Sequence, residues 1–340
     1  MSFFRDLFPA HREAGAEILP SEGHLPPFEG ATGWLNSEPL TPEGLRGRVV
    51  AVQFWTYTCV NWLRTLPYVR EWAAKYQDQG LTVIGVHTPE FGFERNVENV
   101  VAAARDMGVE YPIALDSDYA VWGAFANHFW PALYIADGQG RIRYHHFGEG
   151  EYAMSEMVVQ QLLRESGKEG FDPALVSVDP EGTEVPADWD DLRTPETYLG
   201  YGRASGFAYL DAERFGEPQD YPEPSRLGLN EWAPSGVWTL AEHAAVLDEA
   251  PGRIAIRFHA RDVNLVMGAA ERGLSAPFRV LIDGEPPGAA HGTEVDEQGN
   301  GTVGEQRLYQ LIRQSGPIAD RLFEIEYLGS GVEAYCFTFG

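Results

Sequence analysis

Phe54-Trp55-Thr56-Tyr57-Thr58-Cys59-Val60-Asn61-Trp62-Leu63-Arg64-Thr65-Leu66-Pro67 sets one cysteine between an apolar strand and an amphipathic helix. The strand is Arg48 to Phe54. The helical pattern runs from Val60 to Gln79 and stops at Gly80, and a second strand of buried type follows at Leu81 to His87. Together they make one βαβ unit. Cys59 then falls in the first helical turn, where unpaired N–H groups and the helix dipole favour the thiolate, the nucleophilic form. That effect amounts to on the order of one pKa unit, about 1.4 kcal/mol. The position suits an inert buried thiol equally well, because free cysteine is among the most buried residue types.

Outward from this unit, a helix is expected at Glu94 to Met107, ended by Gly108, then a short strand at Pro112 to Leu115 and a short helix at Tyr119 to Ala126. Two strands, Ala132 to Ala136 and Arg141 to Phe147, flank Asp137-Gly138-Gln139-Gly140, whose Asp-Gly pair is a hairpin signal. A helix at Met154 to Glu165 closes an α/β domain spanning residues 48–166. Residues 1–47, with many Pro and Gly and little periodicity, read as an irregular lead-in packed on it. Residues 166–196 are rich in Gly, Pro, Asp and Glu, which places a linker at 167–190 and a second domain at 191–340. In that second domain the apolar runs are short and bounded by turn residues: Ile254 to Ala260, Val263 to Met267, Phe278 to Ile282, Leu308 to Ile312, Leu322 to Tyr327 and Ala334 to Phe339. Their spacing predicts an all-β, jelly-roll-like sandwich.

Composition agrees with two folded domains, since 340 residues exceed one domain of roughly 150. Hydrophobic residues at 44% and charged residues at 22% exclude collagenous, low-complexity and largely disordered chains. The formal charge of −26 has the wrong sign for phosphate backbones and anionic membranes, so neither nucleic acid nor membrane is an expected partner. Cys59 and Cys336 are the only cysteines, which leaves no disulfide framework and no cysteine-rich metal site. Met1 to Ala10 mixes Arg5 and Asp6 with aromatics and has no cleavage-site pattern, and the longest apolar runs, such as Val49 to Val52, are strand-sized. The expectation is a soluble, cytoplasmic protein needing no cofactor and no metal.

The Cys59 segment, Gly85-Val86-His87-Thr88-Pro89-Glu90, Trp130-Pro131 and Phe147-Gly148-Glu149-Gly150 occur in order, and with them residues 30–165 resemble the thioredoxin-like domain of the DipZ family. These are TlpA-like thiol-disulfide oxidoreductases, with a Cys-x-x-Cys helix start beside a cis-proline. The resemblance implies Cys59 as attacking cysteine, Pro131 as cis-proline and Pro67 as the proline that kinks the helix. Trp55, Thr56, Thr58, Trp62 and Trp130 flank that site. Thr194-Pro195-Glu196-Thr197-Tyr198-Leu199-Gly200 and Asp283-Gly284-Glu285-Pro286-Pro287-Gly288 resemble the C-terminal β-sandwich of the same family, which looks like a carbohydrate-binding module. Trp232, Trp238 and Tyr309 are then candidates for an aromatic sugar platform, alongside the alternative that they pack the core. Two departures stand out. Trp62 replaces the resolving cysteine, and Gln53 stands six positions before Cys59, where thioredoxin-like domains commonly carry a buried acid.

Without a neighbouring thiol, a mixed disulfide at Cys59 loses an intramolecular attack whose effective molarity can reach about 10⁵ M, against external thiols at roughly millimolar levels. At most monothiol chemistry is expected, with protein thiols or disulfides or a low-molecular-weight thiol as partner. The alternatives are a redox-inactive binding or scaffold protein and a one-cysteine peroxidase. Thr56 stands three residues before Cys59, as in the peroxiredoxin pattern Pro-x-x-x-Thr-x-x-Cys, but Val52 holds the proline position. Elsewhere, His145 and His146 point to opposite strand faces and cannot share one ion. Asp296, Gln298, Asn300 and Gly301 resemble the start of a calcium loop, but Arg307 sits at the twelfth position, so a polar turn is expected. Cys336, in an apolar last strand, reads as a core residue.

Overall fold

The computed structural model describes residues 19–209 and 215–340. The part of the expected lead-in before Leu19, and with it the Met1 to Ala10 reading, lies outside them. The strands and helices are β1 (Gly23–His24), β2 (Gly33–Leu35), β3 (Val49–Trp55), α1 (Val60–Tyr76), β4 (Leu81–His87), α2 (Val97–Asp106), β5 (Ile113–Leu115), α3 (Ala120–Ala124), β6 (Ala132–Ala136), β7 (Arg141–Phe147) and α4 (Tyr152–Glu165). Then come β8 (Thr197–Tyr198), β9 (Pro218–Tyr221), β10 (Trp232–Leu240), β11 (Ala245–Phe258), β12 (Asp262–Ala269), β13 (Ala276–Ile282), β14 (Asn300–Val303), β15 (Arg307–Arg313), β16 (Arg321–Tyr327) and β17 (Val332–Phe339). The chain divides into two compact units: residues up to 55 with 68–88 and 110–177, and residues 56–67 and 89–109 with 178–340.

The first unit holds a seven-stranded sheet of order β1-β7-β6-β3-β4-β5-β2. β3 pairs in parallel with β4 and β4 with β5, while β6 and β7 run antiparallel to them. All seven residues of β3 are buried, the continuous apolar run of a strand covered on both faces. Phe54, Val52, Val86, Phe125 and Tyr134 form its core with Leu25 and Phe28 of the lead-in. Fully buried β3 and almost fully buried β4 at the centre and a βαβ connection through α1 are the thioredoxin-like arrangement. Gly80, at φ 103°, ends the helical region after α1 in the left-handed conformation that glycine adopts without penalty. The second helix starts at Val97 rather than Glu94. Asn96 caps it by accepting from Glu98 N, and Gly92 to Arg95 form a separate 3₁₀ turn.

The second unit contains an antiparallel ten-stranded sheet, β14-β13-β16-β11-β17-β12-β15, with β10 on β11, β9 on β10 and β8 on β17. β11 is fourteen residues long; its first residues pair with β17 and its last seven with β16, so one strand joins both parts of the sheet. Leu240, Leu247, Ile254, Phe258, Leu265, Phe278, Phe323, Ile325, Phe337 and Phe339 fill a single core. Trp232, Trp238 and Tyr309 belong to it at 0%, 0% and 1% exposure. They are therefore not an exposed sugar platform. Their polar tips are used inside the protein, on the carbonyls of Ser205, Ser235 and Glu305.

Candidate functional site

Cys59 forms the hinge between the end of β3 and the start of α1. Its N–H donates to Thr56 O at 3.2 Å and its carbonyl accepts from Leu63 N at 3.0 Å, closing the first turn. The N–H groups of Asn61 and Trp62 point at the sulfur and favour a thiolate, as a helix start should. They are outweighed. Burial first, then the charges of Glu196 and Glu90, push the Cys59 thiol well above its usual value. Of the two states open to a cysteine at this helix start, thiolate or buried thiol, these effects favour the thiol. Cys59 is partly exposed, whereas Trp62, three residues on, is 0% exposed.

Glu94 anchors this turn. It is 1% exposed; its Oε1 accepts from Thr58 Oγ1 at 2.6 Å, and its Oε2 accepts from Glu90 N at 2.6 Å and Phe91 N at 2.9 Å. Burial pushes its carboxyl up to about 7, against the hydroxyls of Thr56 and Thr58 and the Phe91 N–H, which favour the charged form. In the sequence Glu94 marks only the expected start of a helix. Its signal was the spacing Phe91-Gly92-Phe93-Glu94, an acid three residues after the turn begins, as in a capping box.

The sandwich contributes three further groups in the same unit. Tyr198 on β8 lies in register with Cys336 on β17. The Tyr198 hydroxyl is 2.6 Å from Glu90 Oε1 and 2.9 Å from Glu196 Oε2. Arg203 Nη1 is 2.9 Å from Glu90 Oε1, with its guanidinium 3.5 Å above the Tyr198 ring centroid. Phe91 and Phe93 pack on Tyr335, with centroids 5.3 and 4.9 Å apart, and Arg64 Nη2 donates to Phe339 O at 3.1 Å. Cys336 is 1% exposed, a core residue as expected, and burial with the charges of Glu196 and Glu90 pushes its thiol up as well. A cleft of about 630 Å³ in this unit is lined by Tyr57, Asn99, Arg272, Glu305 and Arg307.

In the first unit the Trp130–Pro131 peptide bond is cis. Pro131 O accepts from Gly148 N at 2.8 Å, and Trp130 Nε1 donates to Thr88 O at 3.1 Å. Trp55 is fully buried, edge-on to His87 at 4.9 Å, and Gln53 is fully buried on β3. His145 pairs with Glu22 and His146 with Glu149 O, ordinary uses of strand histidines. In the second unit Asp296 Oδ1 accepts from Gln298 N and Asn300 N, a polar turn, and Arg307 is held by both oxygens of Glu294. Among the described residues no group of three or more His, Cys, Asp or Glu is placed to hold a metal ion. No described helix is long and apolar enough to cross a membrane.

Comparison with known proteins adds the relatives. Residues 23–145 match the AhpC/TSA family, and residues 194–340 match the family described as thioredoxin-like C-terminal domain. Protein DipZ of Mycobacterium tuberculosis (strain CDC 1551 / Oshkosh) is 40% identical over 281 residues, 80% of this chain. The chain spans only 38% of that protein's length. Thiol-disulfide oxidoreductase YkuV of Bacillus subtilis (strain 168) is 31% identical over 142 residues, 42% of this chain and 95% of YkuV. A solution structure of a thioredoxin-like protein in the oxidized form has 33% identity and a TM-score of 0.39, covering 42% of this chain and 96% of that one. On the strength of the YkuV and DipZ matches, the chain belongs to the TlpA-like redoxin family.

Proposed function

We propose that this chain is a thiol-disulfide exchange protein that works through Cys59 alone. One observation carries the reading: Cys59 is the partly exposed thiol at the start of α1, while Cys336 is buried and fully buried Trp62 fills the resolving position. The relatives' printed names, which include thiol-disulfide oxidoreductase, support the reaction class. The partner is a disulfide of a protein or of a small thiol such as glutathione. The cleft lined by Tyr57, two residues before Cys59, suits the chain flanking such a disulfide. A raised thiol makes the exchange slow unless a base lies near.

Incubation of the reduced protein with glutathione disulfide tests this. One adduct, at Cys59 and removed by dithiothreitol, is expected. No adduct, or one on Cys336 only, overturns it. A redox-inactive binding module is the second reading, favoured by the same burial and negative charge around Cys59. A one-cysteine peroxidase needs the thiolate at rest, which those two effects oppose.

A further inference from the structure

Along β17 the pairing with β12 slips by one residue: Val266 lies opposite Cys336 and Met267 opposite Ala334, so Tyr335 between them has no partner on β12. A bulge of this kind re-aims a side chain. Ala334 and Phe337 fill the sandwich core, while the buried Tyr335 ring packs on Phe93, edge-on with centroids 4.9 Å apart, and on Phe91 at 5.3 Å. Its hydroxyl donates to Glu333 and accepts from Gln306, which fixes the ring in place.

The contacts continue from that ring to the residues beside Cys59. Phe93 also packs on Tyr57, with centroids 6.1 Å apart, and Glu94, the next residue, accepts from Thr58 Oγ1 at 2.6 Å. Glu94 Oε2 meanwhile accepts from Glu90 N and Phe91 N, which closes the segment on itself. Tyr57 and Thr58, both buried, are the two residues that precede Cys59. Beyond Cys59, Arg64 Nη2 donates at 3.1 Å to the carbonyl of Phe339, on the same strand as Tyr335. The turn that carries the thiol is therefore fastened to β17 on both sides, and all of these residues share one compact unit.

We propose that Tyr335 is a positioning residue for Cys59: the bulge turns its ring onto Phe91 and Phe93, and these, with Glu94, set the aim of the turn 56–59. The assignment rests on Cys59 being the exchanging thiol. In that exchange Cys59 gives its thiol proton to water, its Sγ bonds one sulfur of the substrate disulfide, and the other sulfur leaves with the bonding pair and is protonated by water. The substrate disulfide is the only oxidant. Attack needs Sγ close to and in line with the breaking bond, and a misplacement of about 1 Å can cost on the order of a hundredfold in rate. Tyr335 acts through the orientation of Cys59 and takes no part in the bond changes.

The test follows glutathione adduct formation at Cys59 in the full chain, resolved from Cys336 by peptide mass spectrometry, together with hydrogen exchange of the Cys59 amide, which donates to Thr56 O. Tyr335→Leu removes the ring and should slow the adduct at least about tenfold while speeding exchange of that amide. Tyr335→Phe keeps the ring, loses only the hydroxyl bonds and should return both to wild-type values. Thr58→Val, which cuts the bond to Glu94, should slow the adduct too, and adding Tyr335→Leu to it should slow it little further, because both act on one chain of contacts. Should Tyr335→Leu fail to fold, Phe93→Leu removes the facing ring and carries the same expectation. A wild-type rate in the Leu variant, a Phe variant as slow as the Leu one, or rate losses that multiply in the double variant would overturn the positioning role. A wild-type Cys59 that takes no adduct sinks the exchange reading; the amide then decides the rest, faster exchange in Tyr335→Leu sustaining Tyr335 as the holder of the turn and unchanged exchange overturning it.

Discussion

Trp62→Cys puts a second thiol one helical turn after Cys59, on the same face of α1. The stability cost follows from Trp62 being fully buried. Truncating a core tryptophan costs about 3–5 kcal/mol, and cysteine recovers little of that volume. Closing a disulfide across four residues returns about 2 kcal/mol through the entropy of the unfolded chain. The order of melting temperature should be wild type, oxidised variant, reduced variant. The kinetic effect has the opposite sign. An adjacent thiol competes at an effective molarity of up to about 10⁵ M against roughly millimolar external thiol. Insulin reduction with dithiothreitol should therefore rise at least tenfold over wild type, which should match Cys59→Ala. Trp62→Ala serves as the control, having the cavity without the thiol. Mild oxidation should remove two titratable thiols from the variant and leave Cys336. If the folded variant keeps both thiols reduced under oxidant, or if Trp62→Ala gains the same activity, the placement of the two side chains is wrong.

Two further outcomes are expected. Glu94, raised from 4.5 to about 7, keeps a proton that the unfolded chain releases in between, so its contribution is full below 4.5 and is lost as pH rises to 7, about 3 kcal/mol in all. Denaturant midpoints measured from pH 5 to 8 should fall in wild type and flatten in Glu94→Gln; an equal slope in both would refute the assignment. Asp137, which burial raises but Arg141 and Arg143 more than offset, acts only in the acid range and with the opposite sign. A fragment of residues 191–340 should fold alone as a β-rich domain without exchange activity, because every residue of the sandwich core lies beyond Leu199 or at it. A helical circular dichroism spectrum, or no cooperative melt, would count against that boundary.

Much of the framework was legible in the chain. The strand expected at Arg48 to Phe54 and found at Val49–Trp55, the helix after Cys59 and the Asp137-Gly138 turn are local patterns whose periodicity and turn chemistry act over a few residues. The β-sandwich was legible as a class, from short apolar runs, while its long bridging strand β11 was not. That strand crosses Pro251 and Gly252, which read in sequence as a break. The aromatic platform failed for a similar reason. A tryptophan that stacks on a sugar and one that fills a core are the same residue in sequence, and only burial tells them apart.

The sequence by itself determined that this chain has one cysteine at a helix start, no resolving partner beside it and no acid at Gln53. Those are statements about residue types at fixed spacing, and spacing along a helix or strand is set by backbone geometry. Only the tertiary structure decided the state of that cysteine. Its ionisation depends on burial and on the charges of Glu196 and Glu90, 137 and 31 positions away, which share a compact unit with it because the segments 56–67 and 89–109 group with the C-terminal sheet. Electrostatic influence falls with distance through space and is blind to distance along the chain. The backbone N–H groups of Asn61 and Trp62 at the helix start favour the thiolate, and burial with the charges of Glu196 and Glu90 outweighs them.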